Sequence, residues 1–238
     1  MNKYIGDYST LVFDCDGVIL NSNHIKTEAF RLSALPWSED AAADLVAHHV
    51  ANGGVSRHKK FAYFLETIIP SRFSTADLGF DGPSLDQLLF SYGQAVREGL
   101  MTCCVAEGLE ELRSQTPDSN WCIVSGGDQA ELREIFSARN LDHFFDGGIY
   151  GSPDNKDTIL AREMALGTIR SPALFIGDSR YDHEASKNAG LDFVFVSGWT
   201  DVEDWKSYIS SNQLSSVVEI FNLLSINSKS TSRKRGKV

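Results

Sequence analysis

The chain has 238 residues, of which 42% are hydrophobic, 11% are aromatic and 23% are charged. A chain of this length and composition can bury a full hydrophobic core, as one large domain or two smaller ones. No apolar run approaches the roughly 18–20 residues needed to cross a bilayer, and the first eight residues lack a secretory signal pattern. These features exclude a membrane-spanning protein and predict a cytoplasmic one.

Charge is unevenly distributed along the chain. The formal net charge is −10, but five positive charges lie in the last ten residues, so the rest of the chain carries −15. Because an acidic protein repels polyanions, nucleic acid is not an expected partner. Residues 227–238 are rich in Ser, Lys and Arg without apolar periodicity, and we predict a disordered tail there. The four cysteines have no C-x-x-C spacing, which indicates free thiols in a reducing compartment.

Strand and helix patterns alternate along most of the chain. Short apolar runs predict strands over 10–13, 121–124, 148–150, 173–176 and 193–196. Helical spacing predicts helices over 109–113, 129–139, 156–165 and 184–189. Strands that alternate with helices are typical of a parallel sheet covered on both faces, so we predict a doubly wound α/β fold.

The segment between the first and second strands follows a different pattern. Residues 27–35 and 58–69 show helical spacing, but no strand alternates with them. We therefore predict an α-helical domain, residues 22–97, inserted after the first strand. The remaining core would be discontinuous and consist of residues 1–21 and 98–226.

Polar side chains follow the predicted strands, at the edge where open α/β sheets bind their ligands. They are, in strand order, Asp14 and Asp16, then Ser125 and Gly126, then Lys156, then Asp178 and Asp182. Asp14 and Asp16 are two positions apart on extended backbone, so their carboxylates point the same way. An Asp-x-Asp-Gly sequence alone is also typical of a turn after a strand, but the four strand ends together indicate a site.

Several carboxylates at one sheet edge require a compensating cation. A hard divalent cation such as Mg²⁺ takes oxygen ligands and also binds substrate phosphate. Ser125 offers a hydroxyl, and the glycines after it expose backbone N–H groups that can receive phosphate oxygens. Lys156 adds a second positive charge.

The same residues resemble the motifs of the haloacid dehalogenase-like superfamily of phosphohydrolases, in particular its β-phosphoglucomutase and phosphoglycolate phosphatase-like subfamily. Asp14–Gly17 resembles the first motif, Asp-x-Asp-Gly, and Ser125 lies where a strand of the second motif ends in Ser or Thr. Residues 151–156 resemble the third motif, which supplies a lysine, and residues 177–182 resemble the fourth, Gly-Asp-Ser-x-x-Asp. The resemblance implies a doubly wound core with an inserted helical cap.

The resemblance also implies catalytic and metal-binding roles. Asp14 would be the nucleophile that forms an aspartyl-phosphate, and Asp16 would be the general acid and then the general base. The carboxylates of Asp14 and Asp178 and the main-chain carbonyl of Asp16 would hold Mg²⁺, with Asp182 supporting the site. Ser125, Gly126 and Lys156 would bind the oxygens of the transferred phosphoryl group.

Two cap residues bear on the substrate. Gly54–Arg57 resembles a specificity loop of the subfamily in which an arginine binds a distal phosphate or other anion, so Arg57 is a candidate substrate-binding residue. The alternative is a solvated helix start with Ser56 as N-cap. Lys26 lies where the β-phosphoglucomutases have a histidine on the first cap helix, and the absence of this histidine favours hydrolysis over mutase activity. Lys26 itself either faces the substrate or lies on a solvated helix face.

The sequence thus predicts a Mg²⁺-dependent phosphatase that acts on a small phosphorylated metabolite, a sugar or polyol phosphate. A phosphosugar mutase is one alternative. A catalytically silent binding or regulatory protein on the same fold is another, which the complete set of acids and Lys156 disfavours. Dehalogenase chemistry is disfavoured by Asp16, because that branch of the superfamily lacks the second aspartate. The sequence does not indicate an oligomeric state.

Overall fold

The computed structural model describes residues 4–73 and 82–225 and contains a six-stranded parallel sheet. The strands lie in the order β3-β2-β1-β4-β5-β6. Their bounds are β1 Thr10–Phe13, β2 Asn120–Asp128, β3 Ile149–Ser152, β4 Ala173–Gly177, β5 Asp192–Val196 and β6 Ser215–Val217. The order reverses between β1 and β4, and such a switch point is where open α/β sheets bind ligands.

The central strand β1 is buried on both faces. Three of its four residues are apolar, and the hydroxyl of the fourth, Thr10, donates a hydrogen bond to the carbonyl of Arg170. Leu11 and Phe13 pack on one face of the sheet, and Val12 packs on the other. β1 pairs in parallel with β2 and with β4, so that Phe13 lies between Ile123 and Ile176. This register brings the carboxyl ends of three strands to one edge, just before Asp14.

The core helices cover both faces of this sheet, as the alternating pattern predicts. Their bounds are α6 Leu109–Gln115, α7 Gln129–Ala138, α8 Lys156–Ala165, α9 Arg180–Asn188 and α10 Trp205–Asn212. The sequence prediction begins α9 four residues late, because its first turn is polar. The helix begins at Arg180 since Ser179 caps it, with a reciprocal pair of hydrogen bonds between Ser179 and Asp182.

The predicted helical insertion forms a separate layer after β1. Its helices are α1 Asn23–Ala34, α2 Glu39–Ala51, α3 Arg57–Tyr63, α4 Ile69–Arg72 and α5 Leu85–Thr102. A π-helical turn, Phe64–Ile68, joins α3 to α4. Helix α1 packs against α2 and α5, and an aromatic group of Phe30, Phe61 and Tyr92 fills the space between the helices. We refer to α1–α5 as the cap.

Three further sequence predictions can be compared with the fold. The predicted boundary at 97/98 falls inside α5, which runs unbroken to Thr102. Strand β6 is missing from the prediction because its short Ser215–Val217 sequence carries no strand pattern. The predicted tail, 227–238, lies outside the described residues. Within 4–73 and 82–225, no helix has the length and apolarity to cross a membrane.

Candidate active site

Asp14 lies directly after β1 and is almost completely buried. Its backbone N–H continues the sheet by donating to the carbonyl of Ile176 at 2.9 Å. One carboxylate oxygen accepts from the backbone N–H of Cys15 at 2.7 Å, and the other lies 2.9 Å from Nζ of Lys156. Cys15 itself is fully buried and points into the core, as expected for a packing residue between two site aspartates.

Lys156 opens helix α8, whose N-cap is Asn155. The lysine is fully buried and its ammonium pairs with both Asp14 and Asp182. Burial alone lowers the pKa of a lysine, but these two carboxylates outweigh burial and raise the pKa of Lys156. The ammonium is therefore a fixed positive charge at the strand ends.

Asp178 and Asp182 bring two more carboxylates to the same place. Asp178 follows β4, and Asp182 lies on the first turn of α9. Oxygens of Asp14, Asp178 and Asp182 all lie within 4.8 Å of one another. Burial, followed by repulsion from neighbouring aspartates, raises the pKa of Asp14 to about 7 and raises that of Asp178 as well.

The donor set of this acidic cluster fits a hard divalent cation. Three buried carboxylates face one lysine, which leaves excess negative charge that a cation would neutralise. An oxygen of Asp178 accepts from the side-chain amide of Asn23 at 2.9 Å, which orients the carboxylate. Gly17 has a φ of +73°, and a Cβ there would come within 2.0 Å of that same Asp178 oxygen. A glycine is therefore required where the first loop approaches the carboxylate.

Asp16 is held by a different set of contacts from Asp14. Lys26 on α1 donates to one of its carboxylate oxygens at 2.5 Å, and the Ser22 hydroxyl donates to the other at 2.6 Å. Burial raises the pKa of Asp16, but Lys26 and Ser22 outweigh it and hold the pKa below its usual value. Lys26 is 8% exposed, so the solvated alternative for this residue is wrong.

Ser125 and Gly126 lie on the last part of β2, beside the acidic cluster. The buried Ser125 hydroxyl accepts from the backbone N–H of Gly127 at 3.0 Å. A Cβ on Gly126 would lie 2.1 Å from the carbonyl oxygen of Gly54 in the cap. The absence of a side chain at Gly126 is therefore what lets the cap loop close onto the strand end.

The cap loop around Gly54 forms the roof of the site. Gly54 has a φ of +79°, and a Cβ there would lie 3.2 Å from the Ser179 hydroxyl and 3.6 Å from Nζ of Lys156. Beneath this roof is a cavity lined by groups from both layers, including Asp14, Asp16, Lys26, Lys60, Gly126 and Asp178. The predicted residues Asp14, Asp16, Gly126 and Asp178 therefore line one cavity. Lys156 and Asp182 do not line it and are connected to it through the ion pair of Lys156 with Asp14.

Arg57 lines the cavity but is already paired. Its guanidinium donates to both carboxylate oxygens of Glu131, at 3.0 and 3.1 Å, and lies 5.0 Å from the centre of the Tyr92 ring. Arg57 begins α3 in the cap, whereas Glu131 lies on α7 in the core. The pair thus joins the two layers at the wall of the cavity.

We expect Arg57 and Glu131 to act as one unit that holds the cap closed. Arg57→Gln and Glu131→Gln should each lower kcat/KM, and the double variant should lose less than the sum of the two. A double-mutant cycle in kcat/KM should give a coupling energy of about 0.5–3 kcal/mol. If Glu131→Gln has no effect while Arg57→Gln raises KM, Arg57 binds the substrate directly, and the Arg57–Glu131 pair does not hold the cap closed.

The sequence analysis did not identify several cavity residues. Asn23 and Glu131 are common polar residues whose role depends on contacts with Asp178 and Arg57, which are distant in sequence. Ser22 contacts the nearby Asp16, but a serine before a helix is equally typical of an N-cap. Lys60 had a detectable signal, because it lies three positions after Arg57 and so shares its helix face. The run of basic residues at 57–60 is typical of a solvated surface, and this obscured the spacing.

One sequence family matches most of the chain. The model of the haloacid dehalogenase-like hydrolase family matches residues 8–190, which include every motif position and the whole cap. Among curated proteins, none is similar enough in sequence to match.

Solved structures of similar fold cover nearly the full chain. A Clostridium acetobutylicum protein described as a predicted phosphatase is 19% identical, covering 84% of this chain and 90% of its own, with a TM-score of 0.62. A Lactobacillus plantarum protein assigned as a phosphoglycolate phosphatase is 19% identical over 92% and 98%, with a TM-score of 0.63. A Thermotoga maritima protein assigned as a β-phosphoglucomutase is 17% identical over 93% and 99%, with a TM-score of 0.60. At these identities the likeness establishes a shared fold.

Proposed function

Because the chain belongs to the haloacid dehalogenase-like hydrolase family, we propose that it is a phosphatase that hydrolyses a small phosphorylated metabolite, a sugar or polyol phosphate. One observation carries the proposal. The Asp14 carboxylate is buried at the end of the central strand, with Lys156 at 2.9 Å from one oxygen and a second acid, Asp16, two residues further on. This arrangement supplies a nucleophile, a proton carrier and a positive charge at one edge of the sheet.

Asp14 is the proposed nucleophile. A carboxylate oxygen attacks the phosphorus of the substrate, the bond from phosphorus to the leaving oxygen breaks, and an aspartyl-phosphate forms. The hydrogen bond from the Cys15 N–H and the ion pair with Lys156 fix the direction of the carboxylate. Positioning of this kind is a large part of phosphoryl-transfer catalysis, because little other covalent chemistry is needed.

Asp16 is the proposed general acid and base. Because Lys26 and Ser22 favour its charged form, Asp16 first takes up a proton from the bound phosphate monoester or from water. It gives this proton to the leaving oxygen in the first step and takes one from water in the second. That water attacks the phosphorus of the aspartyl-phosphate, which releases inorganic phosphate and restores Asp14. Lys26 and Ser22 each donate a hydrogen bond to one oxygen of Asp16, which orients its carboxylate.

The transferred phosphoryl group is proposed to bind at the ends of β2 and β3. The Ser125 hydroxyl, the Gly126 backbone N–H and the Lys156 ammonium would take its oxygens. Mg²⁺, held by the carboxylates of Asp14 and Asp178 and the main-chain carbonyl of Asp16 with support from Asp182, would neutralise charge on those oxygens. The excess of buried carboxylates over cations supports this assignment.

The cap, α1–α5, would close over the bound substrate and exclude water from the first step. Its contacts with Gly126 and Glu131 support a closing role. The proposed partner is the small-molecule substrate, with no nucleic acid or membrane partner, and the proposed location is the cytoplasm.

A metabolite screen tests the proposal. The protein is incubated with Mg²⁺ and a panel of sugar, polyol and small-acid phosphates, and release of inorganic phosphate is measured. We expect release from at least one substrate and none from an Asp14→Asn protein prepared in parallel. Isomerised sugar phosphate without phosphate release would support the mutase alternative. Binding without either product would support the silent alternative.

A further inference from the structure

Lys60 is a buried lysine of the cavity whose ammonium has uncharged neighbours. It lies on α3, is 2% exposed, and lines the same cavity as Asp14, Asp16 and Asp178. Its ammonium donates to Nδ1 of His49 at 2.6 Å and lies 5.4 Å from the centre of the Phe30 ring. Both of these neighbours are uncharged groups, because burial and the nearby lysines depress the pKa of His49.

The other basic side chains of the site are each paired with carboxylates. Lys26 pairs with Asp16, Arg57 with Glu131, and Lys156 with Asp14 and Asp182. In the part of the chain that the structure describes, no carboxylate lies within 4.0 Å of the Lys60 ammonium. Asp201, which also lines the cavity, is solvent-exposed and interacts with Lys60 only at longer range.

A buried ammonium without a counter-ion is costly to the folded protein. Burial, followed by repulsion from Lys26, lowers the pKa of Lys60 to about 7. An anionic group bound in the cavity would remove this cost by supplying the missing charge. Ser125 and Lys156, which are proposed to bind the scissile phosphoryl group, do not line the cavity that Lys60 lines, so a second anionic group is the candidate for this role.

We propose that Lys60 is the specificity-determining residue for a substrate that carries a second anionic group, a carboxylate or a second phosphate, at its distal end. This inference rests on the proposed phosphatase function and narrows its substrate class. The distal group pairs with the Lys60 ammonium beneath the cap while the scissile phosphate lies at the strand ends. His49 accepts a hydrogen bond from the same ammonium and so fixes its direction.

Matched substrate pairs test the assignment. Glucitol 6-phosphate and 6-phosphogluconate differ by one carboxylate, and fructose 6-phosphate and fructose 1,6-bisphosphate differ by one phosphate. We expect the wild-type protein to prefer the anionic member of at least one pair by about 10- to 150-fold in kcat/KM. The pair that is discriminated identifies the distal group as a carboxylate or a phosphate.

Two variants connect the preference to Lys60. Lys60→Met keeps the aliphatic stem and should reduce the ratio between the paired substrates to about 1, whereas Lys60→Arg should restore much of it. Lys59→Met removes the same charge from an exposed neighbouring position and should leave the ratio unchanged. Thermal unfolding of each variant identifies any that fails to fold. If Lys60→Met fails to fold, the substrate ratio of Lys60→Arg tests whether a cation at this position determines the preference.

A binding measurement separates this inference from the proposed function. In an Asp14→Asn background, calorimetric Kd values for the four ligands should show the same preference, and Lys60→Met should remove it. If the wild-type protein hydrolyses p-nitrophenyl phosphate but neither pair is discriminated in kcat/KM or Kd, the Lys60 assignment is overturned and the phosphatase stands. If nothing is hydrolysed but the Kd preference depends on Lys60, the phosphatase fails and the anion site stands.

Discussion

Replacing Asp14 by Asn is expected to lower kcat by at least about 10⁴-fold, because the amide is not a nucleophile and cannot form the aspartyl-phosphate. The substitution preserves the shape of the side chain. Its remaining oxygen can still accept from the Cys15 N–H, and Lys156 keeps its pairing with Asp182. Single-turnover phosphate release with the best substrate of the screen measures the loss.

The fold of the Asp14→Asn variant is expected to survive. The substitution removes one of three mutually repelling buried carboxylates, so the Tm should not fall. Mass spectrometry of acid-quenched wild-type protein should detect phosphate on Asp14, and the variant should lack it. Near-native turnover by a folded variant would contradict the nucleophile assignment.

Asp178→Asn is expected to lower the activity and to raise the stability of the metal-free protein. The variant removes a buried negative charge from the acidic cluster, while its amide oxygen can still accept from Asn23. Without added metal, its free energy of unfolding should therefore exceed that of the wild-type protein. Its activity should fall by more than the roughly 10- to 100-fold that loss of an outer-shell partner costs a metal site.

Metal-dependent stability tests the same prediction without turnover. Mg²⁺ at about 100 times its Kd should stabilise the wild-type protein by about 2.7 kcal/mol, and Asp178→Asn should lose most of this gain. Asp118→Asn makes the same chemical change at an exposed position before β2 and should keep the full gain. Equal Mg²⁺-dependent shifts in all three proteins, measured by denaturant unfolding, would rule out Asp178 as a ligand.

Local sequence was sufficient to predict strands β1 to β5 and the polar residues that follow them. Strands β1 and β4 are continuous buried apolar runs, and each is followed at once by an aspartate. Parallel pairing then brings Asp14 and Asp178 together without further information, since residues after adjacent parallel strands share one edge. Lys156 follows from the same rule, because it opens the helix after β3.

Contacts within the cap could not be predicted in this way. Helix positions such as Lys26 and Lys60 have two readings, solvated or facing the cavity, and the choice depends on how the cap is oriented over the core. The structure buries both ammonium groups. It also gives Lys26 a carboxylate partner and places Lys60 beside His49 instead.

The α/β fold, the helical insertion and the acidic cluster with its lysine follow from local sequence patterns, because each depends on residues adjacent to a strand or within one helix. Three features follow from the packing of the cap on the core instead: the pairing of Arg57 with Glu131, the approach of Gly54 to Gly126, and, among the described residues, the absence of a carboxylate beside Lys60. These contacts join residues more than 70 positions apart or depend on helix orientation. Charge pairing across a domain interface is fixed by packing, which periodicity and composition do not encode.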